Sequence, residues 1–287
     1  MKKSVKKIIT VVSLLMMLTT LACFTVSADT YYVYNDFKFK YLDDGSAMIA
    51  EYRGNSNTLV IPDTLLDHKV SSVEPNAFYQ NTQIEYIEFG KNFNAISAMS
   101  FAESAVKEVN LPDTMTTLVW GAFSECSELT SVTIADSALT TIPRTCFYNC
   151  PKLTNVNLGN NITTIVDYAF SDCSSLTSVK IPKATTSIAA NAFRNCPNLT
   201  LYVYKDSYAH QFAVEKSINY EIVPEYEIGD VDLNGIVNVN DATLIQYYAV
   251  SIKELSDYQL SLADVNGDGV VNVLDATQIQ RILVDLA

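Results

Sequence analysis

The sequence predicts an α/β-type solenoid of short parallel strands and helical turns, opened by a β cap and followed by a small all-α module. Three observations carry this reading. Phe78, Phe101, Phe123, Phe147, Phe170 and Phe193 recur at intervals of 23, 22, 24, 23 and 23 residues, a regularity that marks stacked repeats. From Gly229 onward, two runs rich in Asp, Asn and Gly return 34 residues apart, each leading into a helical pattern. The composition, 48% hydrophobic and 18% charged, is that of a folded globular chain.

The chain opens with a basic stretch, Met1 to Lys7, followed by 21 uncharged residues from Ile8 to Ala28. Val26, Ser27 and Ala28 then offer small residues ahead of Asp29, the pattern of a secretory signal cut after residue 28. The uncharged run could also span a bilayer as an uncleaved anchor, but six Ser and Thr residues dilute it. Thr20-Leu21-Ala22-Cys23 lacks the leucine three residues before the cysteine that a lipidation site requires. No later stretch is apolar enough to cross a membrane, so the expected mature chain is soluble and exported.

Loss of the first 28 residues removes four lysines and moves the formal charge from -13 to -17. Such acidity argues against a nucleic-acid partner. The only histidines are His68 and His210, and no HExxH, GxSxG or phosphate-cradling glycine loop occurs. Most familiar catalytic classes therefore have no visible equipment.

Within the repeats a small residue usually precedes the phenylalanine (Ala77, Ala122, Cys146, Ala169, Ala192), and an aliphatic pattern follows it, as in Leu153-Val156-Leu158 and Leu176-Val179-Ile181. Alternating apolar residues place two side chains on one face of a short strand, while the Ala-Phe segment suits a single helical or 3₁₀ turn. One such unit cannot bury its own phenylalanine, so the units must stack, with strands about 4.8 Å apart. This pattern resembles the BspA-like leucine-rich repeats of bacterial surface and secreted proteins over residues 59–223. The resemblance implies that residues 29–58, with a turn at Asp44-Gly45 and apolar Ala47, Ile49 and Tyr52, are a β cap. It also implies that the segment from Leu201 to Ala213 is a closing strand and helix.

Cys126, Cys150, Cys173 and Cys196 each lie three residues after a repeat phenylalanine, and Asn81 heads the same column. A column on successive rungs suits packed thiols better than a catalytic cluster or a zinc site. Asn81 is expected to bond the backbone of a neighbouring rung. Five cysteines remain once Cys23 is removed with the signal, so at least one is unpaired within a monomer. His68 and His210 are expected at the surface. Leu111-Pro112-Asp113-Thr114 begins like a sortase signal, but Met115 stands where glycine is needed. Asn161-Ile162-Thr163 and Asn198-Leu199-Thr200 are formal glycosylation sequons inside the repeat pattern. The tyrosines could stack on sugar rings but fit core packing better, with Trp120 the largest such aromatic platform.

After a short connector, residues 224–228, the period changes. Asp230, Asp232, Asn234, Asn238 and Asp241 place oxygen donors at loop positions 1, 3, 5, 9 and 12, with Gly235 at 6 and the carbonyl of Ile236 at 7. Asp264, Asn266, Asp268, Val270, Asn272 and Asp275 repeat the order. Calcium is a hard cation that takes six to eight oxygens, and glycine permits the sharp turn, so this is the EF-hand pattern with aspartate in place of the final glutamate. Two Ca²⁺ ions are expected. They would reduce the module's formal charge from -7, given by nine acids and two bases, to about -3. Helices are expected from Ala242 and Ala276, with Ser256 and Gln259 forming a capping box for a helix between them.

A duplicated loop-helix unit of this kind, lacking the entering helix of a full EF-hand, resembles a type I dockerin over residues 229–287. The resemblance implies calcium-dependent docking onto a cohesin module of a scaffoldin or cell-surface protein, as in cellulosomes. It places recognition on Val239, Asn240, Gln246 and Tyr247 in the first half and on Val273, Leu274, Gln280 and Arg281 in the second. Valine and glutamine agree between the halves; Asn/Leu and Tyr/Arg do not, so the two halves are not expected to bind equally.

These readings point to a secreted, non-catalytic component of a polysaccharide-degrading complex, extracellular and associated with a cell surface or cellulosome. Its repeat array would hold a polysaccharide or a protein ligand, which the sequence does not decide. A cell-surface adhesin is the alternative role. A glycoside hydrolase ranks below both, because the acids of residues 29–228 are scattered over repeat turns with no cleft to distort a sugar.

Overall fold

The computed structural model describes residues 30–224 and 226–285. The expected signal segment, residues 1–28 with Cys23, lies outside the described residues. The chain divides into two compact units after Ile222. No helix among the described residues is long and apolar enough to cross a membrane.

The first unit begins with three antiparallel strands, Tyr31–Tyr34, Phe37–Tyr41 and Ala47–Tyr52. Asp44 makes the tight turn by accepting the N–H of Ser46 at 2.8 Å, and Gly45 takes the left-handed conformation there, φ 81°. The pairing skips Ala50, since Phe39 faces Ile49 whereas Lys38 faces Glu51. This bulge returns Tyr52 to the face of Ala47 and Ile49, where its ring packs on Phe37 at 5.3 Å. The third strand then pairs in parallel with His68–Val73 and hands the chain to the repeats.

Each repeat contributes one strand to each of two parallel ladders. In the longer ladder Glu108–Leu111, Ser131–Ile134, Asn155–Asn157, Ser178–Lys180 and Thr200–Tyr204 lie side by side, with Asn219–Val223 at the edge. Their register aligns Val109, Val132, Val156, Val179 and Leu201, all buried. Two-residue strands make up the other wall, including Thr141–Ile142, Thr164–Ile165 and Ser187–Ile188. Helix Tyr208–Lys216, capped by Ser207, closes the last rung and buries Ala209, Phe212 and Ala213.

Between the walls the six repeat phenylalanines form a continuous stack. Centroids are 4.8, 5.3, 5.7, 5.3 and 5.5 Å apart with planes within 13° of parallel. The backbone repeats the same logic: the N–H of Phe78, Phe101, Phe123, Phe147 and Phe170 each donates to the carbonyl of the residue just before the next phenylalanine, 2.7–2.9 Å away. These five amides are thus satisfied by the neighbouring rung.

The Ala-Phe segments differ from expectation in not being helical. They are consecutive tight turns, because the residues two before and two after the phenylalanine adopt positive φ: Met99 and Glu103, Gly121 and Glu125, Thr145 and Asn149, Tyr168 and Asp172. Left-handed residues at both positions stop a helix after one turn. Most of these side chains are not those that favour this conformation, so nothing in the sequence marked them.

The five described cysteines are free thiols. Each member of the column donates to the carbonyl of the phenylalanine one rung before: Cys126 to Phe101 at 3.1 Å, Cys150 to Phe123 at 3.3 Å, Cys173 to Phe147 at 3.1 Å and Cys196 to Phe170 at 3.2 Å. Burial pushes the Cys126 thiol up to about 11 and that of Cys196 to about 12. Asn81 does not bond a neighbouring rung through its side chain. Its Oδ1 accepts the N–H groups of Gln83 and Ile84 on its own rung. Both histidines lie partly exposed, each against an aromatic ring. His68 starts a strand with its ring on Tyr41 at 4.1 Å, and His210 lies in the closing helix against Tyr220 at 4.8 Å.

In the second unit, helices Val239–Ala249 and Val273–Asp285 pack together, with helix Asp257–Ala263 between them in sequence. The core is symmetric about the duplication: Ala242 with Ala276, and Ile245 with Ile279. Both longer helices start three residues earlier than expected. The second loop is entered from helix Asp257–Ala263, so the duplicated unit does contain one short entering helix.

Phe123→Ala is expected to destabilise the first unit by about 3–5 kcal/mol, read by denaturant unfolding; a loss under 1 kcal/mol would mean the stack does not hold the rungs. Because burial raises the thiol pKa and so suppresses thiolate at Cys126, Cys146, Cys150 and Cys196, iodoacetamide at neutral pH is expected to leave these four thiols unmodified until denaturant is added. Alkylation should rise only as the pH approaches the raised values. Fast labelling of Cys126 in the native chain would contradict the packing.

Candidate metal centre

The first Asp/Asn loop is built by its own carboxylates before any ligand is considered. Asp230 accepts Asn234 N–H at 3.1 Å and Gly235 N–H at 2.8 Å, and Gly235 sits at φ 86° to make the turn. Asp241 reaches back from the first turn of its helix. One oxygen accepts the N–H groups of Val231 at 2.8 Å and Asp232 at 2.9 Å, and the other accepts Asn238 N–H at 2.8 Å. Asn238 completes a capping box with Asp241, which explains why the helix begins at Val239, inside the loop. The Asn238 amide donates to the carbonyl of Ile236 at 2.9 Å.

These bonds draw carboxylate oxygens of Asp230, Asp232 and Asp241 within 4.8 Å of one another, with Asp230 and Asp241 buried. Partial desolvation, then the Asp241 charge, raises the pKa of the Asp232 carboxyl. Three acids held this close repel, and a hard divalent cation is the group that such an oxygen set accommodates. Asn234 and the Ile236 carbonyl lie at the same loop, so the donor chemistry fits calcium.

The second loop repeats the scheme with small differences. Asp264 accepts the N–H groups of Asp268 at 3.1 Å and Gly269 at 2.9 Å. Buried Asp275 accepts from Asn266 at 3.1 Å and Asn272 at 2.9 Å, and the Asn272 amide donates to the Val270 carbonyl at 2.9 Å. Here Val265 N–H turns to the Ala263 carbonyl instead of the loop carboxylate, and the three acids do not converge to the same distance among the described residues.

The residues expected to dock a partner all lie exposed on the two longer helices. Val239 is 59% exposed, Tyr247 46%, Val273 52% and Leu274 61%, and Asn240, Gln246, Gln280 and Arg281 are exposed beside them. Within each half these positions recur seven residues apart, which puts them on one helix face, opposite Ala242 and Ile245 or Ala276 and Ile279. Two features escaped the sequence reading. Gln259, expected only as a cap, also donates its amide to the Val231 carbonyl at 2.8 Å and so ties the first loop to the other half. Val250 and Ile252 extend the exposed apolar surface past the first helix; single apolar residues after a helix carry no distinguishing pattern.

Residues 71–200 match the BspA type leucine rich repeat region in six copies, and residues 228–284 match the dockerin type I domain, a domain that binds calcium. Among solved structures, a leucine-rich repeat protein of T. pallidum is 22% identical, with 66% of this chain and 96% of that one covered and a TM-score of 0.56, which supports the solenoid fold. A leucine-rich repeat protein from Eubacterium ventriosum is 21% identical over 56% of this chain and 50% of its own, with a TM-score of 0.42. No curated protein matches the chain.

Asp241→Ala orphans three backbone N–H groups and is expected to cost roughly 2–4 kcal/mol, enough to unfold a module of this size. Far-UV circular dichroism of the full chain should lose helical signal that calcium no longer restores. A variant that folds and responds to calcium like the parent would contradict the loop geometry.

Proposed function

Taking this chain as a BspA-type leucine-rich repeat protein that carries a type I dockerin, we propose that it is a secreted, non-catalytic component of a cellulosome-like polysaccharide-degrading complex. Residues 1–28 direct export, 29–58 cap the array, 59–223 form the repeats, 224–228 connect, and 229–287 dock. Two Ca²⁺ ions bind, one through Asp230, Asp232, Asn234, Ile236, Asn238 and Asp241, the other through Asp264, Asn266, Asp268, Val270, Asn272 and Asp275. When bound, each ion would offset most of the charge of a loop's three carboxylates and fix the start of the helix that follows.

The single observation that carries this reading is the coupling of loop to face. Asp241 and Asp275 each close a loop and stand in the first turn of a docking helix, so ion binding and presentation of the exposed face are one structural event. Val239, Asn240, Gln246 and Tyr247, or Val273, Leu274, Gln280 and Arg281, then meet a cohesin module of a scaffoldin or cell-surface protein. The repeat array remains free to hold a glycan or a protein at the cell surface.

The test is biosensor binding of the full chain to a panel of type I cohesin modules, in calcium and in chelator. Binding is expected in calcium only. Val239→Asp or Val273→Asp alone should leave measurable affinity, whereas the double variant should lose at least about a hundredfold. Calcium-independent binding, or a double variant that binds undiminished, would contradict the docking reading. So would failure of every cohesin to bind a module shown to be folded.

A further inference from the structure

The outward face of the longer parallel ladder is chemically unlike the rest of the first unit. One column of outward residues, fixed by register, runs Ser131, Asn155, Ser178, Thr200. The next runs Thr133, Asn157, Lys180, Tyr202. All are half-buried or exposed, while the residues between them point into the core. Rungs follow one another at about 4.8 Å, so the face is a flat grid of amide and hydroxyl groups.

These groups are unspent. Elsewhere on the solenoid comparable side chains bond within the chain. Asn160, Asn161 and Asn195 donate to Asp136, the Ser137 carbonyl and Asp172, and Thr130 and Thr154 donate to the carbonyls of Lys107 and Thr130. Among the described residues, the side chains of Ser131, Thr133, Asn155, Asn157, Ser178 and Thr200 make no such bond. The two columns carry little charge, although the chain carries a formal charge of -13: from Glu108 to Tyr202 their only charged members among the described residues are Glu108 in the first and Lys180 in the second, with Glu221 on the edge strand beyond. It has no apolar, aromatic or arginine anchor at its centre, which is what a protein partner's hot spot would need. Tyr202 and Tyr204 stand at one end, with Lys180 Nζ 5.9 Å from the Tyr204 ring centroid.

At the edge of the second column a shallow cavity of about 350 Å³ is lined by Asp136, Asn157, Asn160 and Lys180. Gly159 forms its floor, where a Cβ would come within 2.6 Å of the Ala135 carbonyl oxygen, so only glycine lets the two rungs approach there.

We propose that this face binds an uncharged, hydroxyl-rich polysaccharide chain lying across the rungs. Amide and hydroxyl side chains each offer both a donor and an acceptor, the complement of neighbouring sugar hydroxyls, which are themselves both. The tyrosines at the end of the grid supply flat rings for the apolar face of one sugar, and the cavity admits a branch or a terminal unit. The inference rests on the proposed function only in taking the array to be a display surface, and it names what that surface displays for.

The test is affinity electrophoresis and pull-down of the full chain in calcium with xyloglucan, galactomannan, mixed-linkage β-glucan and starch, with polygalacturonate as the anionic counterpart. Retention by at least one neutral polymer is expected, falling about tenfold in Asn155→Ala/Asn157→Ala, which removes two amide contacts. Asn155→Ser/Asn157→Ser provides a second variant should the first lose its native melting transition. Thr117→Ala/Thr164→Ala, on the opposite wall, should bind like the parent. Retention by no neutral polymer, preference for polygalacturonate, or undiminished retention in both asparagine variants would overturn the proposal. Cohesin binding measured on the same preparations separates the two readings: if it persists in calcium while polymer retention fails, only this inference falls.

Discussion

The constraint on which the first unit depends is that no rung can bury its own phenylalanine. Each ring finds its partners only above and below, and the stack of nearly parallel rings fixes how far apart and in what rotation successive rungs sit. The backbone obeys the same spacing, since phenylalanine N–H groups and cysteine thiols both bond to carbonyls on neighbouring rungs. Everything displayed outside inherits this periodicity. The grid of Asn155 and Asn157 and their neighbours is flat and evenly spaced because the column behind it is.

The second unit is organised by charge instead of by stacking. Its small core of Val231, Ala242, Ile245, Ala263, Ala276 and Ile279 is too limited to stabilise some 60 residues comfortably by itself, and its buried aspartates Asp230, Asp241 and Asp275 must be compensated. Backbone N–H groups compensate them in part; calcium, which dockerin type I domains bind, would supply the remainder. Asp241 and Asp275 also lie in the first turns of their helices, so an ion that relieved the repulsion would also order the helices whose outer faces carry Val239 and Leu274.

Much of this was legible in the sequence, for identifiable reasons. A phenylalanine period, an aliphatic alternation and two spaced Asp/Asn loops are patterns of residue type, and type is what a sequence records. The turns were not legible, because positive φ at Met99, Thr145 and Tyr168 is imposed by neighbouring rungs and not by those side chains. Helix starts at Val239 and Val273 were read three residues late, since Asp241 and Asp275 look like loop ligands and turn out to be helix N-terminal residues as well. The bulge at Ala50 explains why Ala47, Ile49 and Tyr52 share a face despite their uneven spacing. The outward grid could not be found from composition alone, because what distinguishes Asn155 from Asn160 is a hydrogen bond, not a residue type.

The two units would thus draw their order from different sources, neighbouring rungs in the first and calcium in the second. Hydrogen exchange of the full chain, followed by mass spectrometry with and without calcium, tests this directly. Amides of 230–241 and 264–275 and of the helices that follow should become protected on adding calcium, while those around the phenylalanine stack should exchange equally slowly in both conditions. Calcium-dependent protection within the repeats, or loops and helices of the second unit that are indifferent to calcium, would contradict it.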